Sequence, residues 1–272
     1  MLADFAVEMR LTRAARLRVR IHTEERMIAR MALAIVGLGC AMLTPAFAGV
    51  WSDGFQDDAT PEWAWLLRPG AATATEGKGY LTVETTGVFG NHFAITESGE
   101  WHDFTFTVDV SIQTIRGQFC CAGAMVHRRN DITMLYSNVG TGWAPGDFAA
   151  FGVAPYPGLP ESGQGAFGVK FLNGSAVDGD GLDFEPELNR WYRLRVDVAA
   201  NRAVFLIDGD VIGDFVHDEP IKGHVGLTLA NSVMRVDNLV VSGDDIPDGG
   251  PGGAVLAVDA RHGLATTWAG LK

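Results

Sequence analysis

The sequence predicts an all-β protein, two antiparallel sheets packed face to face, and three observations predict it. From Trp51 onward the dominant hydrophobic period is two, the repeat of a strand with one buried face. About ten such segments follow one another, separated by clusters of Gly, Pro, Asn and Asp, which is the spacing of a sandwich. No helical period lasts three turns before the C-terminal tail. Composition agrees with one large globular domain: 272 residues, 47% hydrophobic and 20% charged, with 34 Gly.

Charge and cysteine usage narrow the function. Lys+Arg is 21 against Asp+Glu 33, a net charge of −12, so a nucleic-acid partner held through phosphates is not expected. Three Cys are too few for a disulfide-stapled mini-fold and supply no set for a structural zinc.

Taken in order, residues 1–48 read as a leader. Arg26 and Arg30 precede an apolar run over 31–48 that is broken at Pro45 and closed by Ala46-Phe47-Ala48. These are the features of a signal peptide cleaved before Gly49, so a secreted, periplasmic or cell-surface location follows, with no membrane attachment after cleavage. The alternative is an uncleaved membrane anchor, against which Pro45 and the Ala-x-Ala ending argue. A 48-residue leader is long, which suggests a true start at Met27 or Met31. The leader takes seven Arg and four acids with it, deepening the net charge from −12 to −15.

The sandwich is expected over 49–243. Residues 103–112 alternate strictly, with Phe104, Phe106, Val108, Val110 and Ile112 on one side. Residues 191–199 do the same, with Tyr192, Leu194, Val196 and Val198 inward and Arg193, Arg195 and Asp197 outward. Further strands are expected at 80–86, 92–97, 120–129, 133–139, 148–154, 165–172, 203–209, 223–230 and 234–243. Asp208-Gly209 and Asn130-Asp131 read as two-residue hairpin turns. Residues 244–253 form a Gly/Pro/Asp linker and 254–272 a tail.

Four stretches carry a resemblance: WSDGFQDDATPEW (51–63), GAMVHRRNDITMLYS (123–137), WYRLRVDVAANRAVFLIDGDVIGDF (191–215) and GHVGLTLANSVMRVDNLVV (223–241). In this order they resemble the concanavalin A-like lectin/glucanase superfamily, in particular its laminin G-like jelly-roll domains in bacterial exported proteins. The resemblance implies a curved sandwich that holds glycan on one sheet, often with structural calcium. It also implies what to look for in an enzyme. The retaining glucanases of that superfamily carry a Glu-x-Asp-x-(x)-Glu run on one strand, setting nucleophile and acid about 5 Å apart. The sequence contains no such run.

With Asn130-Asp131 as the turn, residues 129/132, 127/134, 125/136 and 123/138 become cross-strand pairs on one face. That face would hold His127, Arg129, Tyr136 and Asn138, with Met125 and Met134 hinting at partial burial, and it could stack and hydrogen-bond a sugar. The bland alternative is a solvated or loop-covered outer face. Trp143, in a Gly-rich loop beyond the hairpin, could serve as a sugar platform or fold back over the sandwich. Trp101 and Trp191 read as packing residues, and Trp51, Trp63 and Trp65 as seals of the sandwich. Asp53, Asp57 and Asp58 could approach Asp237 if the first and last strands pair, a set of oxygens suited to Ca2+. Ordinary turn carboxylates are the alternative. Cys120 and Cys121 should point to opposite faces as separate thiols. The expectation is therefore a module that binds glycan or a cell-surface ligand without catalysis. A glycan hydrolase or lyase using carboxylates such as Asp109 on the same sheet, and a structural adhesion module, stand as alternatives.

Overall fold

A computed structural model describes residues 48–67, 70–86, 91–117, 120–130, 133–141, 163–172 and 175–251. The leader, the tail and the strand expected at 148–154 lie outside the described residues. The first strands are β1 (Gly49–Asp53), β2 (Trp63–Leu67), β3 (Ala71–Gly77), β4 (Tyr80–Thr86) and β5 (Asn91–Ile95). After a 3₁₀ turn at Thr96–Glu100 come β6 (Phe104–Ile115), β7 (Cys120–Asn130), β8 (Thr133–Thr141), β9 (Gln164–Leu172) and β10 (Ser175–Asp183). The remaining strands are β11 (Tyr192–Ala199), β12 (Arg202–Ile207), β13 (Asp210–Val216), β14 (Gly226–Ala230) and β15 (Ser232–Gly243). The described residues contain no α-helix. They include no helix long and apolar enough to cross a membrane.

The strands form two antiparallel sheets. The first runs β13-β12-β11-β6-β15-β4-β3, with β1 also paired to β15, and the second runs β10-β9-β8-β7-β14-β5-β2. Strand β15 serves two partners along one edge: Val233–Val236 pair with β4, and Leu239–Gly243 pair with β1. Between them the register to β6 shifts after Asp237, and Asn238 takes a φ of 51°. Such a bulge re-aims the side chains around it.

The alternation expected in the sequence is what builds the core. Phe104, Phe106, Val108, Val110 and Ile112 meet Tyr192, Leu194, Val196 and Val198 and the inward faces of β7, β8 and β14 in one buried cluster. Trp51 and Trp63 close it edge-to-face with ring centroids 6.4 Å apart, and Trp101 packs against Trp51 at 6.1 Å. Strands without a clear two-residue alternation, β1, β2, β3 and β10, were not among the expected segments. The β7–β8 hairpin departs by one residue from expectation. Asn130 pairs with Thr133, so it belongs to the strand and not to an Asn130-Asp131 turn. A register shift between Val126 and Asn130 absorbs the difference, and the pairs 125/136 and 123/138 stand as the sequence predicts.

Candidate functional site

The outward face of the second sheet is where the sequence places its binding residues. The side chains of His127, Arg129, Tyr136 and Asn138, and all of Trp143, lie outside the described residues. The backbone nonetheless fixes two rows. Tyr136 stands in register with Met125 and Val169, and Met125 with Gly226 and then Ala94. Asn138 stands with Gly123 and Phe167, and Gly123 with Thr228 and then His92. The topology therefore brings His92 and Thr228, which the sequence reading missed, onto the same face as Tyr136 and Asn138. Met125, Val169, Phe167, His92 and Thr228 are all buried. The five strands β5, β14, β7, β8 and β9 contain no Asp or Glu at all.

Carboxylates gather elsewhere. Asp53 is fully buried at the end of β1 and accepts hydrogen bonds from the Phe55 N–H and the Trp63 Nε1–H, each at 2.8 Å. Glu62, Glu76 and Asp57 surround it. Glu76 is also buried, and its Oε2 accepts from the Ala59 N–H at 2.7 Å. The Oε1 atoms of Glu62 and Glu76 are buried with no donor facing them. Burial and the neighbouring acids push both groups up to about 7, and burial raises Asp53 as well. Glu62 lies beside Asp53 and Glu76 beside Asp57, carboxyl pairs in which a shared proton can supply the hydrogen bond that two carboxylates cannot.

The four residues expected to hold calcium are divided by this arrangement. First and last strands do pair, Asp53 standing opposite Leu239. Asp237, however, stands opposite Asp109 on the outward side of the first sheet, where burial and the Asp109 charge raise its pKa. Asp57 stays with the Asp53 cluster in the opening turn, and Asp58 next to it in the chain has a φ of 60°. Among the described residues no three acidic, His or Cys side chains come together in a metal-holding arrangement. The expected set does not fit Ca2+ as one coordination shell.

Asp109 also lies apart from the sheet with which an enzymatic role had joined it. It is on β6 in the first sheet, across the core from Tyr136 and Asn138. There it binds the Arg193 guanidinium through two bonds of 2.8 Å and accepts a third from Asn238 Nδ2 at 2.9 Å. The Arg193 backbone N–H donates to Asp208 Oδ1 at 2.9 Å, and Arg190 Nη2 reaches Asp208 Oδ2 at 3.2 Å. Arg195 bonds Asp197 at 2.8 Å. Beside this network Trp191 is 43% exposed, contrary to the packing role expected for it. Tyr192 is its neighbour and points into the core, so strand alternation turns Trp191 outward. Trp191, Asp109, Arg193 and Arg195, together with Leu206 and the Asp208-Gly209 turn, line a groove of about 560 Å³.

Cys120 and Cys121 are free and both buried. Only Cys120 belongs to the core cluster between the sheets, so the two thiols do occupy opposite faces. Burial pushes Cys120 up to about 12 and raises Cys121 well above the ordinary thiol value, which leaves neither available as a thiolate nucleophile at neutral pH.

These two sheets and their strand order define an all-β jelly-roll sandwich with the fold of the concanavalin A-like lectins and glucanases. A galectin-like protein of unknown function from Bacillus subtilis superimposes with a TM-score of 0.52 at 13% identity, covering 72% of this chain and 98% of that one. SCLam, a non-specific endo-β-1,3(4)-glucanase of family GH16, superimposes with a TM-score of 0.50 at 12% identity, covering 75% and 94%. The carbohydrate-binding module CBM66 from Bacillus subtilis aligns at a TM-score of 0.46 and 19% identity, covering 65% and 93%. At these identities the likeness is one of fold. No family model and no curated protein matches the sequence.

Proposed function

We propose that the sandwich is an exported module that binds glycan, or another ligand at the cell surface, without cleaving it. The observation that carries this reading is the absence of acids from the five central strands of the second sheet. Retaining glycoside hydrolysis needs two carboxyl groups about 5–5.5 Å apart, one to protonate the leaving oxygen and one to attack. Strands β5, β14, β7, β8 and β9 supply neither. Asp109, the carboxylate named for an enzymatic role, is held in an ion pair by Arg193 on the other sheet. A face that carries Tyr136 and Asn138 in register, with His127 and Arg129 assigned to it from the sequence, suits binding instead, since an aromatic ring stacks on sugar C–H groups while amide, imidazole and guanidinium meet hydroxyls. Trp143 is assigned to the same ligand. The leader read from the sequence supports export.

The test is a pull-down of the chain on insoluble polysaccharides, with the supernatant assayed for released reducing sugar. Retention without release, weakened about tenfold or more by Tyr136→Ala, is the expected result. Sugar release would make the protein an enzyme and overturn the reading.

A further inference from the structure

We propose that the Trp191 groove on the outward side of the first sheet is a second glycan-contact site, taking one uncharged pyranose unit stacked on the indole ring. The proposal rests on the reading of the module as a glycan binder, and it places a contact on the sheet opposite the one assigned above.

The groove is built rather than incidental. Trp191 is exposed, and its indole N–H has no hydrogen-bond partner among the described residues. Its backbone is nevertheless held, because Tyr192 is buried in the core and its hydroxyl accepts the Glu187 N–H at 2.8 Å. A large aromatic presented from a rigid strand start binds with little ordering cost. The polar groups beside it are fixed too. Asp109, whose side chain is 13% exposed, orients Arg193 through both Nε and Nη2. Asp208 is locked by the Arg193 N–H and by Arg190.

Charge selects the class of sugar. Asp109 and Asp208 face Arg193 and Arg195 in the groove, so the lining carries no net charge. Both guanidinium groups already hold a carboxylate, Arg193 on Asp109 and Arg195 on Asp197. A uronate or sulfated sugar would have to displace one of these or sit beside Asp109, Asp197 and Asp208. Sugar hydroxyls need neither, because each can donate to a carboxylate oxygen and accept from a guanidinium N–H left unused. The volume, about 560 Å³, lies in the usual range of small-ligand clefts, roughly 300–1,000 Å³.

Titration calorimetry of the full chain with soluble oligosaccharides, neutral and uronate-bearing, tests this. The expected result is binding of neutral oligosaccharide at two sites, one of which Trp191→Ala weakens about tenfold, a change that corresponds to about 1.4 kcal/mol. Trp191→Phe should retain most of it, and the melting temperature should stay within a few degrees because the ring is exposed. Wild-type binding matched by Trp191→Ala and lost in Tyr136→Ala would overturn the groove and leave the glycan reading intact. Preference for the uronate-bearing oligosaccharide would overturn the charge argument. No binding of any oligosaccharide by the wild type would overturn both.

Discussion

A buried carboxyl group must be neutralised, and the cluster at Asp53 shows how this is done one residue at a time. Glu62 and Glu76, held near 7 in the folded protein, have an ordinary value of 4.5 in the unfolded chain. Between those values the folded state binds more protons than the unfolded one. Their contribution to stability is therefore complete below about 4.5 and is lost as the pH rises through about 7. Thermal melts should show stability falling from pH 5 to pH 8, and Glu76→Gln should flatten that slope. At pH 8 the same variant should melt about 2–4 °C higher, the shift that 1 kcal/mol produces in a domain of this size. A rise in melting temperature on adding calcium at pH 8 would assign the neutralisation to the cation instead. Asp53 is different, because its oxygens already have donors. Asp53→Ala would leave the buried Trp63 Nε1–H and Phe55 N–H unbonded and should cost roughly 2–5 kcal/mol in chemical denaturation. Neither glutamate was legible as part of a site in the sequence, since β1, β2 and β3 come together only through long-range pairing. The place of Trp191 at a strand start suggests a packing residue, although the alternation that sends Tyr192 inward sends Trp191 outward.

Single elements test how local chemistry sets register. The Asp208-Gly209 turn has φ of 50° and 98° at its two residues, and it joins β12 to β13 with Ile207 opposite Asp210. Both angles are positive, as the tightest mirror-type hairpin requires, and glycine meets that requirement without strain. Space is open around Gly209, so Gly209→Val would be penalised by backbone conformation alone. Its expected cost is about 1–2 kcal/mol by denaturant titration, and a neutral result would mean that tertiary pairing, not the turn, fixes this edge. The turn could be read directly because its two residues encode it. Strands β6, β11, β12 and β15 were legible for the same reason: one buried face imposes a period of two that few loops imitate. Strand β1, fully buried over Gly49–Asp53, shows no alternation, and β10 is an edge strand of Gly and Asp. Their places are set by neighbours far away in the chain. The β7–β8 hairpin lies between these cases, since alternation gave its central pairs correctly while the bulge beyond Val126 moved its tip.

At the scale of the whole molecule, the two sheets carry opposite kinds of polar chemistry. The first sheet wears ion pairs on its outward side, Arg193 on Asp109, Arg195 on Asp197 and Arg202 on Asp214. The central strands of the second carry no acid. Exposed pairs of this kind each contribute about 0–1 kcal/mol and weaken with salt. Against them stands a chain with a net charge of −12, whose self-repulsion also weakens with salt. The excess of 33 acids over 21 bases makes repulsion the larger of the two. Raising ionic strength from about 0.01 to 0.15 M shortens the screening length from about 30 to 8 Å, so the melting temperature should rise, and a fall would mean that the ion-paired face dominates stability. The same titration separates modes of ligand binding. Stacking and hydroxyl hydrogen bonds are indifferent to screening, whereas a partner held by charge is released by it. Retention on an uncharged polysaccharide should therefore persist across this range, and elution by salt alone would replace a sugar ligand with a charged one.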